Sequence, residues 1–294
     1  MKLTIDGMEV KVDQGTTVLE AARQVGIEIP TLCHLKGIHE SASCRVCVVE
    51  VGPRLIASCT LQATDGMQVK TNTQKVREAR RTVIELLLSD HNKACLTCNR
   101  SGKCELQTLS TELNVRDLRY EGAHSKMGSI DGSSPSLVRD ASKCILCGRC
   151  IGACDQQTVH AIYFANRGFN TKVATAYDRP IGETACVNCG QCVLACPVGA
   201  LSEQDHTREV WRELADPDKV VIVQPAPAIR AALGEEFGLP MGTRVTGKMV
   251  TALKMLGFDK VFDTNFGADL TIMEEGTELL ARLQSGEQLP LMTS

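Results

Sequence analysis

The 294-residue sequence predicts an α+β chain built of several small domains rather than one large core. Three observations carry this. Fifteen cysteines and one of six histidines fall into four spaced sets of four; the first dozen residues alternate polar and apolar in the strand period; and beyond residue 219 the cysteines stop while strand-like and helix-like runs alternate. Hydrophobic residues make up 43% of the chain but aromatics only 3%, with Trp211 the single tryptophan, so large anchors for a core are scarce. Small domains in that position lean on metals or disulfides. Fifteen cysteines and one histidine make sixteen ligands, the number that four iron–sulfur clusters need, and no cysteine is left over. A chain so furnished reads most simply as a wire for electrons.

The N-terminus lacks the uncharged run of a secretory signal, and no stretch of about eighteen apolar residues occurs, so a soluble, cytoplasmic protein without a transmembrane segment is expected. In a reducing compartment, tight C-x2-C groups bind metal more often than they form disulfides. A net charge of -3 with interspersed signs argues against a nucleic-acid partner.

Leu3-Thr4-Ile5 and Val10-Lys11-Val12 alternate in the strand period around Asp6-Gly7, a pair suited to a tight hairpin turn. Thr17 and Glu20 make a capping box, and Val18, Ala21, Ala22 and Val25 mark one apolar helix face before Gly26. Hairpin, helix, cysteine-bearing loop and further short strands are the order of a β-grasp ferredoxin, expected over residues 1–78. Cys33, Cys44, Cys47 and Cys59, spaced C-x10-C-x2-C-x11-C, are candidate ligands of one [2Fe–2S] cluster. Tetrahedral zinc is the alternative for four thiolates, although zinc sites usually have two close pairs and this set has one. The long first gap resembles the [2Fe–2S] domain that opens the large soluble subunit of respiratory NADH dehydrogenase and of complex iron-only hydrogenases. Relatives often carry glycine where this chain has Ala42, a departure that leaves the four ligands untouched.

Residues 73–89 predict a helix, with Val76, Ala79, Val83, Ile84 and Leu87 on one side. It delivers His91 into the pattern His91-x3-Cys95-x2-Cys98-x5-Cys104. The same order of one histidine and three cysteines follows the ferredoxin domain in both families just named. That resemblance implies a [4Fe–4S] cluster held by His91, Cys95, Cys98 and Cys104 in a small helical domain over residues 79–120. Neutral imidazole in place of a thiolate removes one negative charge, so a raised reduction potential is expected. His34, His39, His124, His160 and His206 match no ligand spacing and are expected at the surface or at caps.

The Gly- and Ser-rich stretch between Glu121 and Pro135 predicts a linker or long loop. Beyond it, over residues 136–206, comes a duplication: Cys144, Cys147, Cys150 and Cys154 recur forty-two positions later as Cys186, Cys189, Cys192 and Cys196. Both are the C-x2-C-x2-C-x3-C run of bacterial ferredoxins, whose fourth cysteine serves the other cluster. Cys196 is therefore expected to complete one [4Fe–4S] site with Cys144, Cys147 and Cys150, and Cys154 the other with Cys186, Cys189 and Cys192. The second run ends in the usual Cys-Pro, the first in Cys154-Asp155. Gly148, Gly152 and Gly190 suit close approach of backbone to sulfur better than a phosphate cradle.

From Val220 a short strand precedes Pro225 and Pro227; helices are expected over 228–237, 247–256 and 268–283, with a strand over 260–262. Gln224-Pro225-Ala226-Pro227-Ala228-Ile229-Arg230, Leu256-Gly257-Phe258-Asp259-Lys260-Val261-Phe262-Asp263-Thr264 and Ala268-Asp269-Leu270-Thr271-Ile272-Met273-Glu274-Glu275 resemble the opening of the α/β catalytic domain of [FeFe]-hydrogenases. The resemblance implies that residues 219–294 are the N-terminal part of that domain. In the family, a cysteine that helps hold the hydrogen-activating H-cluster follows Thr-Ser at once, whereas this sequence stops at Thr293-Ser294. The expectation is a chain cut just before its H-cluster ligands, by fragmentation, gene damage or an early stop such as a UGA selenocysteine codon, which DNA sequence beyond codon 294 tests. Glu275, Glu278 and Arg282 match the family's proton-relay positions on one helix face; a solvated face with weak ion pairs is the alternative.

The function this implies is the electron-transfer portion of an iron-only hydrogenase subunit, carrying one [2Fe–2S] and three [4Fe–4S] clusters. It would relay electrons between an H-cluster, present only if the missing C-terminal region is supplied, and ferredoxin or NAD(P)H-oxidising flavin and iron–sulfur subunits. A non-catalytic subunit of an NADH dehydrogenase or formate dehydrogenase-type complex is the alternative. No G-x-G-x-x-G fingerprint occurs, so NAD(P) and flavin are expected on another chain of a hetero-oligomer.

Overall fold

Ile5 and Met8 pair across a turn in which Asp6 and Gly7 take φ of 46° and 87°, so β1 (Lys2–Ile5) and β2 (Met8–Lys11) close as the predicted hairpin. The computed structural model describes residues 1–122 and 130–293, and the chain divides into two compact units, residues 1–204 and 205–294.

In the first unit, α1 (Val18–Gln24) begins with the expected capping box: Thr17 Oγ1 accepts from the Glu20 amide at 3.2 Å, and the Glu20 carboxylate accepts from the Thr17 amide at 3.4 Å. A second hairpin, β3 (Val48–Val51) with β4 (Arg54–Ala57), follows the cysteine loop. Strand β5 (Gln68–Lys70) inserts between the hairpins, parallel to β1 and antiparallel to β3, giving the order β2-β1-β5-β3-β4. Leu3, Ile5, Val10, Val49 and Val69 pack with Val18, Leu19, Ala21 and Ala22 of α1 in a core that also takes in Cys47 and Cys59.

Helix α2 (Gln74–Ser89) is capped by Thr73 Oγ1, which accepts from the Val76 amide at 3.2 Å. Helix α3 (Glu105–Glu112) starts directly after Cys104. Leu106 and Leu109 join Ile84, Leu137, Ile145, Ile162, Ile181 and Val198 in a second core, whose buried members include Cys33, Cys44, Cys104, Cys147, Cys150 and Cys196. Each of the four sets thus has members buried in a core or packed against one, although Cys189 is exposed.

The expected linker is corrected in part. Residues 123–129, His124 among them, lie outside the described residues, but Ile130–Asp131 is strand β6, antiparallel to β7 (Leu137–Asp140). Asp131 accepts from the Ile181 amide at 2.9 Å and lies 3.5 Å from Arg139, so the Ser-rich composition marks the turn that follows, not the whole segment. Next come α4 (Arg149–Gln156), the hairpin of β8 (Tyr163–Ala165) and β9 (Lys172–Ala174), α5 (Gln191–Ala195) and β10 (Leu201–Glu203). Strand β10 pairs with β7 in the order β10-β7-β6, clasping the two ends of the duplicated region.

The second unit comprises α6 (Thr207–Leu214), β11 (Ile222–Val223), α7 (Ile229–Glu236), α8 (Thr246–Met255), β12 (Lys260–Val261) and α9 (Thr264–Ser285). Strands β11 and β12 are parallel with two helices between them, the alternation that the sequence predicts. Both strands are shorter than expected. The last helix begins at Thr264 rather than residue 268 because Asp263 Oδ1 caps it, accepting from the Phe266 amide at 2.8 Å. Val245 and Met249 are buried, whereas Ile272, Met273, Leu280 and Leu283 of α9 are exposed. No helix among the described residues is long and apolar enough to cross a membrane.

Candidate functional site

The loop before β3 brings Cys33, Cys44, Cys47 and Cys59 together. The Cys44 amide donates to Cys33 Sγ at 3.4 Å, and Cys47 Sγ lies 3.4 Å from Cys59 Sγ. Its backbone runs through the left-handed region at Ala42 (φ 54°) and Arg45 (φ 60°), strain of the kind concentrated at functional sites. Ala42 stands where a glycine would be unstrained. All four thiols are buried. A hydrogen bond from Cys44 holds the Cys33 thiol down at about 5, and that with Cys59 holds Cys47 at about 6, while Cys44 and Cys59 are pushed up.

His91 follows directly on α2 and is buried. Cys95, Cys98 and Cys104 surround a short helical turn, and the Cys95 and Cys98 thiols, after burial itself, raise that of Cys104.

In the duplicated region each fourth cysteine lies beside the other run of cysteines. Cys196 lines one cavity with Cys144, Cys147 and Cys150, and its charge, with that of Cys144, opposes ionisation of Cys147. Burial comes first among the causes that push Cys147 up to about 12 and Cys150 well above the thiol range. Cys192 rises to about 11 through burial and the charges of Cys186, Cys154 and Cys189. The duplication is visible in the backbone too. Leu146 and Asn188 take φ of 56° and 57°, and Gly148 and Gly190, at 79° and 73°, cap α4 and α5 from the left-handed region. Gly152 departs from its expected role: a Cβ there would meet the Ile38 carbonyl at 2.5 Å, so it admits backbone of the first cysteine loop and not sulfur.

No disulfide links any of the cysteines. Among the described residues no three His, Cys, Asp or Glu side chains are grouped as a single metal ion needs. The thiols of Cys104, Cys147, Cys150 and Cys192, held neutral by desolvation and neighbouring thiolates, ionise readily only around a cationic centre that relieves both. Buried donors without a protein partner, Arg80 Nε, Arg100 Nε and Arg149 Nε, accompany these loops. The donor sets therefore fit iron–sulfur clusters.

Sequence reasoning passed over several contacts that join the sets. Ser43 Oγ donates to the Cys147 carbonyl at 3.4 Å, Arg100 to the Cys196 carbonyl at 2.8 Å, and the Glu105 amide to the Pro197 carbonyl at 3.0 Å. Arg149, itself buried, binds Glu105 at 2.7 Å, and a Cβ on Gly199 would meet Cys98 Sγ at 2.6 Å. The histidine expectation is corrected at His34, which is 5% exposed; it sits in a ligand loop that the fold turns inward. On α9, Arg282 binds Glu278 and the Gln288 carbonyl, whereas Glu275 makes no hydrogen bond or ion pair with either among the described residues.

Asp140 shapes the approach to Cys144. Its Oδ1 accepts from the Ser142 amide at 3.0 Å and hydroxyl at 2.6 Å, and Oδ2 lies 2.9 Å from Lys143 Nζ. Burial opposes its ionisation, but the Ser142 bonds and the Lys143 charge outweigh it and hold the carboxyl below its ordinary range. The stability it contributes is present above the unfolded value of about 4 and is lost as pH falls through the lower folded value. Asp140→Asn is expected to flatten that acid slope and to cost about 1 kcal/mol at neutral pH, read from urea unfolding at a series of pH values.

Together these features define an iron–sulfur protein with [2Fe–2S]-type and [4Fe–4S]-type domains. Residues 1–74 match the 2Fe-2S iron-sulfur cluster binding domain, 80–119 the NADH-ubiquinone oxidoreductase-G iron-sulfur binding region, 143–200 the 4Fe-4S dicluster domain, and 219–294 the C-terminal domain of the iron only hydrogenase large subunit. The chain is similar over its whole length to iron-only hydrogenase large subunits, and its iron–sulfur region is similar to the G-type subunits of NADH dehydrogenase. It is 52% identical to the NADP-reducing hydrogenase subunit HndD of Solidesulfovibrio fructosivorans over 100% of its own length and 52% of that protein. With iron hydrogenase 1 of Clostridium pasteurianum the identity is 41%, covering 99% of this chain and 51% of the other. The chain thus spans about half the length of these curated relatives. A crystal structure of an NAD+-reducing [NiFe]-hydrogenase contains a chain that superposes with a TM-score of 0.65 at 35% identity, over 69% of this chain and 87% of that one.

Proposed function

We propose that this chain is the electron-relay part of an iron-only hydrogenase subunit. It would carry electrons between ferredoxin or NAD(P)H-oxidising partner subunits of a cytoplasmic hetero-oligomer and the H-cluster of the family's catalytic domain. The observation that carries the reading is that all fifteen cysteines lie within residues 1–204, eight of them buried in its cores and most of the rest partly buried beside them. Bound there, one [2Fe–2S] and three [4Fe–4S] clusters supply reversible one-electron storage. The reading assigns Cys33, Cys44, Cys47 and Cys59 to the first; His91, Cys95, Cys98 and Cys104 to the second; Cys144, Cys147, Cys150 and Cys196 to the third; and Cys186, Cys189, Cys192 and Cys154 to the fourth. The four folded regions of the sequence reading, 1–78, 79–120, 136–206 and 219–294, are kept as its domains.

Contacts between the loops support a junction rather than a row. Ser43 ties the first loop to Cys147, Arg100 and Glu105 tie the second to the Cys196 turn, and the Cys192 charge reaches Cys150. The third set meets each of the others, so electrons entering at the first or second would converge on it before reaching the fourth. Every cysteine is used in these four sets, so the H-cluster draws no thiolate from the 294 residues. Glu275, Glu278 and Arg282 remain the proposed proton-relay residues, with Arg282 orienting Glu278.

An anaerobic reductive titration tests this reading. Uptake of about four electrons per chain, without hydrogen turnover by the chain alone, is the expected result. Uptake of none, or turnover without an added catalytic fragment, contradicts it.

A further inference from the structure

Arg80 lies on the inner face of α2 and is 7% exposed. Its Nη2 donates to the Val48 carbonyl at 2.8 Å, whereas its Nε, also buried, has no acceptor. Among the described residues it forms no ion pair. Asp6 is the nearest influence from a carboxylate, and that group is already engaged by the Thr71 amide at 2.7 Å and by the Thr71 hydroxyl. Burial pushes the guanidinium down to about 10, opposed by the charges of Cys47 and Asp6, so it stays protonated at neutral pH. A buried, unpaired cation is among the costliest groups a protein can hold, unless an anion forms beside it. Val48 follows Cys47 directly, so its carbonyl holds the guanidinium one residue from a member of the first cysteine set, within reach of the Cys47 charge. Four thiolates around an iron–sulfur core make that anion.

We propose that Arg80 is the fixed counter-charge of the Cys33, Cys44, Cys47 and Cys59 centre, setting its reduction potential. The inference rests on reading that set as [2Fe–2S] ligands. Reduction adds one negative charge, which a fixed cation stabilises, so Arg80 raises the potential of this centre. It is a positioning residue, acting through charge on a centre that it does not ligate.

The test is a redox titration of the anaerobically purified full chain, followed by electron paramagnetic resonance of the [2Fe–2S] signal, in wild type, Arg80→Gln, Arg80→Met and Arg80→Lys. Gln and Met are expected to shift the oxidised-to-reduced ratio at fixed ambient potential about tenfold toward oxidised, about 59 mV for one electron. Lys, which keeps the charge, should hold most of the wild-type value. The other centres should not move. Loaded Gln and Lys variants with the same potential as wild type would overturn the proposal and leave Arg80 a merely structural link between α2 and β3. Should Met prevent loading, the Gln and Lys pair still decides. A wild-type chain without a [2Fe–2S] signal would instead overturn the ligand reading beneath it.

Discussion

Cys196→Ser is expected to abolish the centre of Cys144, Cys147 and Cys150 while sparing that of Cys186, Cys189 and Cys192, and Cys154→Ser to do the reverse. Sequence proximity suggests the opposite, since Cys196 lies four residues from Cys192 and forty-six from Cys150. The fold favours the crossed pairing. Helices α4 and α5 pack against each other, and each carries its fourth cysteine into the neighbouring set, so Cys196 shares a cavity with Cys144, Cys147 and Cys150. Serine keeps the size of the side chain but is a poor ligand for iron, and a cluster lost whole removes about four irons per chain. Each variant should lose one [4Fe–4S] signal, identified by pairing it with Cys144→Ser or Cys186→Ser: a pair serving the same cluster loses no more iron than either alone. The expected matches are Cys196 with Cys144 and Cys154 with Cys186. Non-additive loss between Cys154 and Cys144 would contradict the crossing.

The second large effect concerns folding. Removing iron under anaerobic conditions with a chelator and a mild oxidant is expected to melt the first unit and leave the second largely as it was. In the first unit eight cysteines are buried members of the two cores, and Cys150 is held neutral by burial and by its neighbours' charges, so much of the interior is organised around the centres. Apparent stabilisation by structural metal sites in small domains is about 10–16 kcal/mol, comparable with the whole stability of a typical domain, about 5–15 kcal/mol. The second unit has no cysteine and contains the single tryptophan, Trp211, whose fluorescence therefore reports on it alone. Loss of the near-ultraviolet dichroism of the first unit with Trp211 emission unchanged is the expected signature. An apoprotein that keeps a cooperative melt of both units would show that the cysteine sets are stabilised by packing instead.

Those aspects that were legible in the sequence are the ones that repeat or obey a spacing. Thr17 with Glu20, Asp6-Gly7 and the period of α2 announce local structure because their physics is local: a cap, a turn, an apolar stripe. The duplicated run likewise proposes where Cys154 and Cys196 go, and the neighbours of both cysteines are consistent with it. The contacts between the sets carried no such signal. Ser43 and Cys147 are 104 residues apart, Arg100 and Cys196 are 96 apart, and neither pair has a spacing rule. His34 was misjudged because a polar residue in a ligand loop says nothing of which way the loop turns, and Gly152 because its neighbour is the Ile38 carbonyl of another domain. Arg80 carries no spacing signal, and only the packing of α2 on β3 shows it buried.

The most direct measurement of the central claim is the iron, sulfide and zinc content of the chain purified without oxygen. Four centres of the assigned kinds give about fourteen irons and fourteen sulfides per chain with negligible zinc, the sum of one two-iron and three four-iron clusters. A colourless protein, or one carrying zinc in place of iron, would contradict the account.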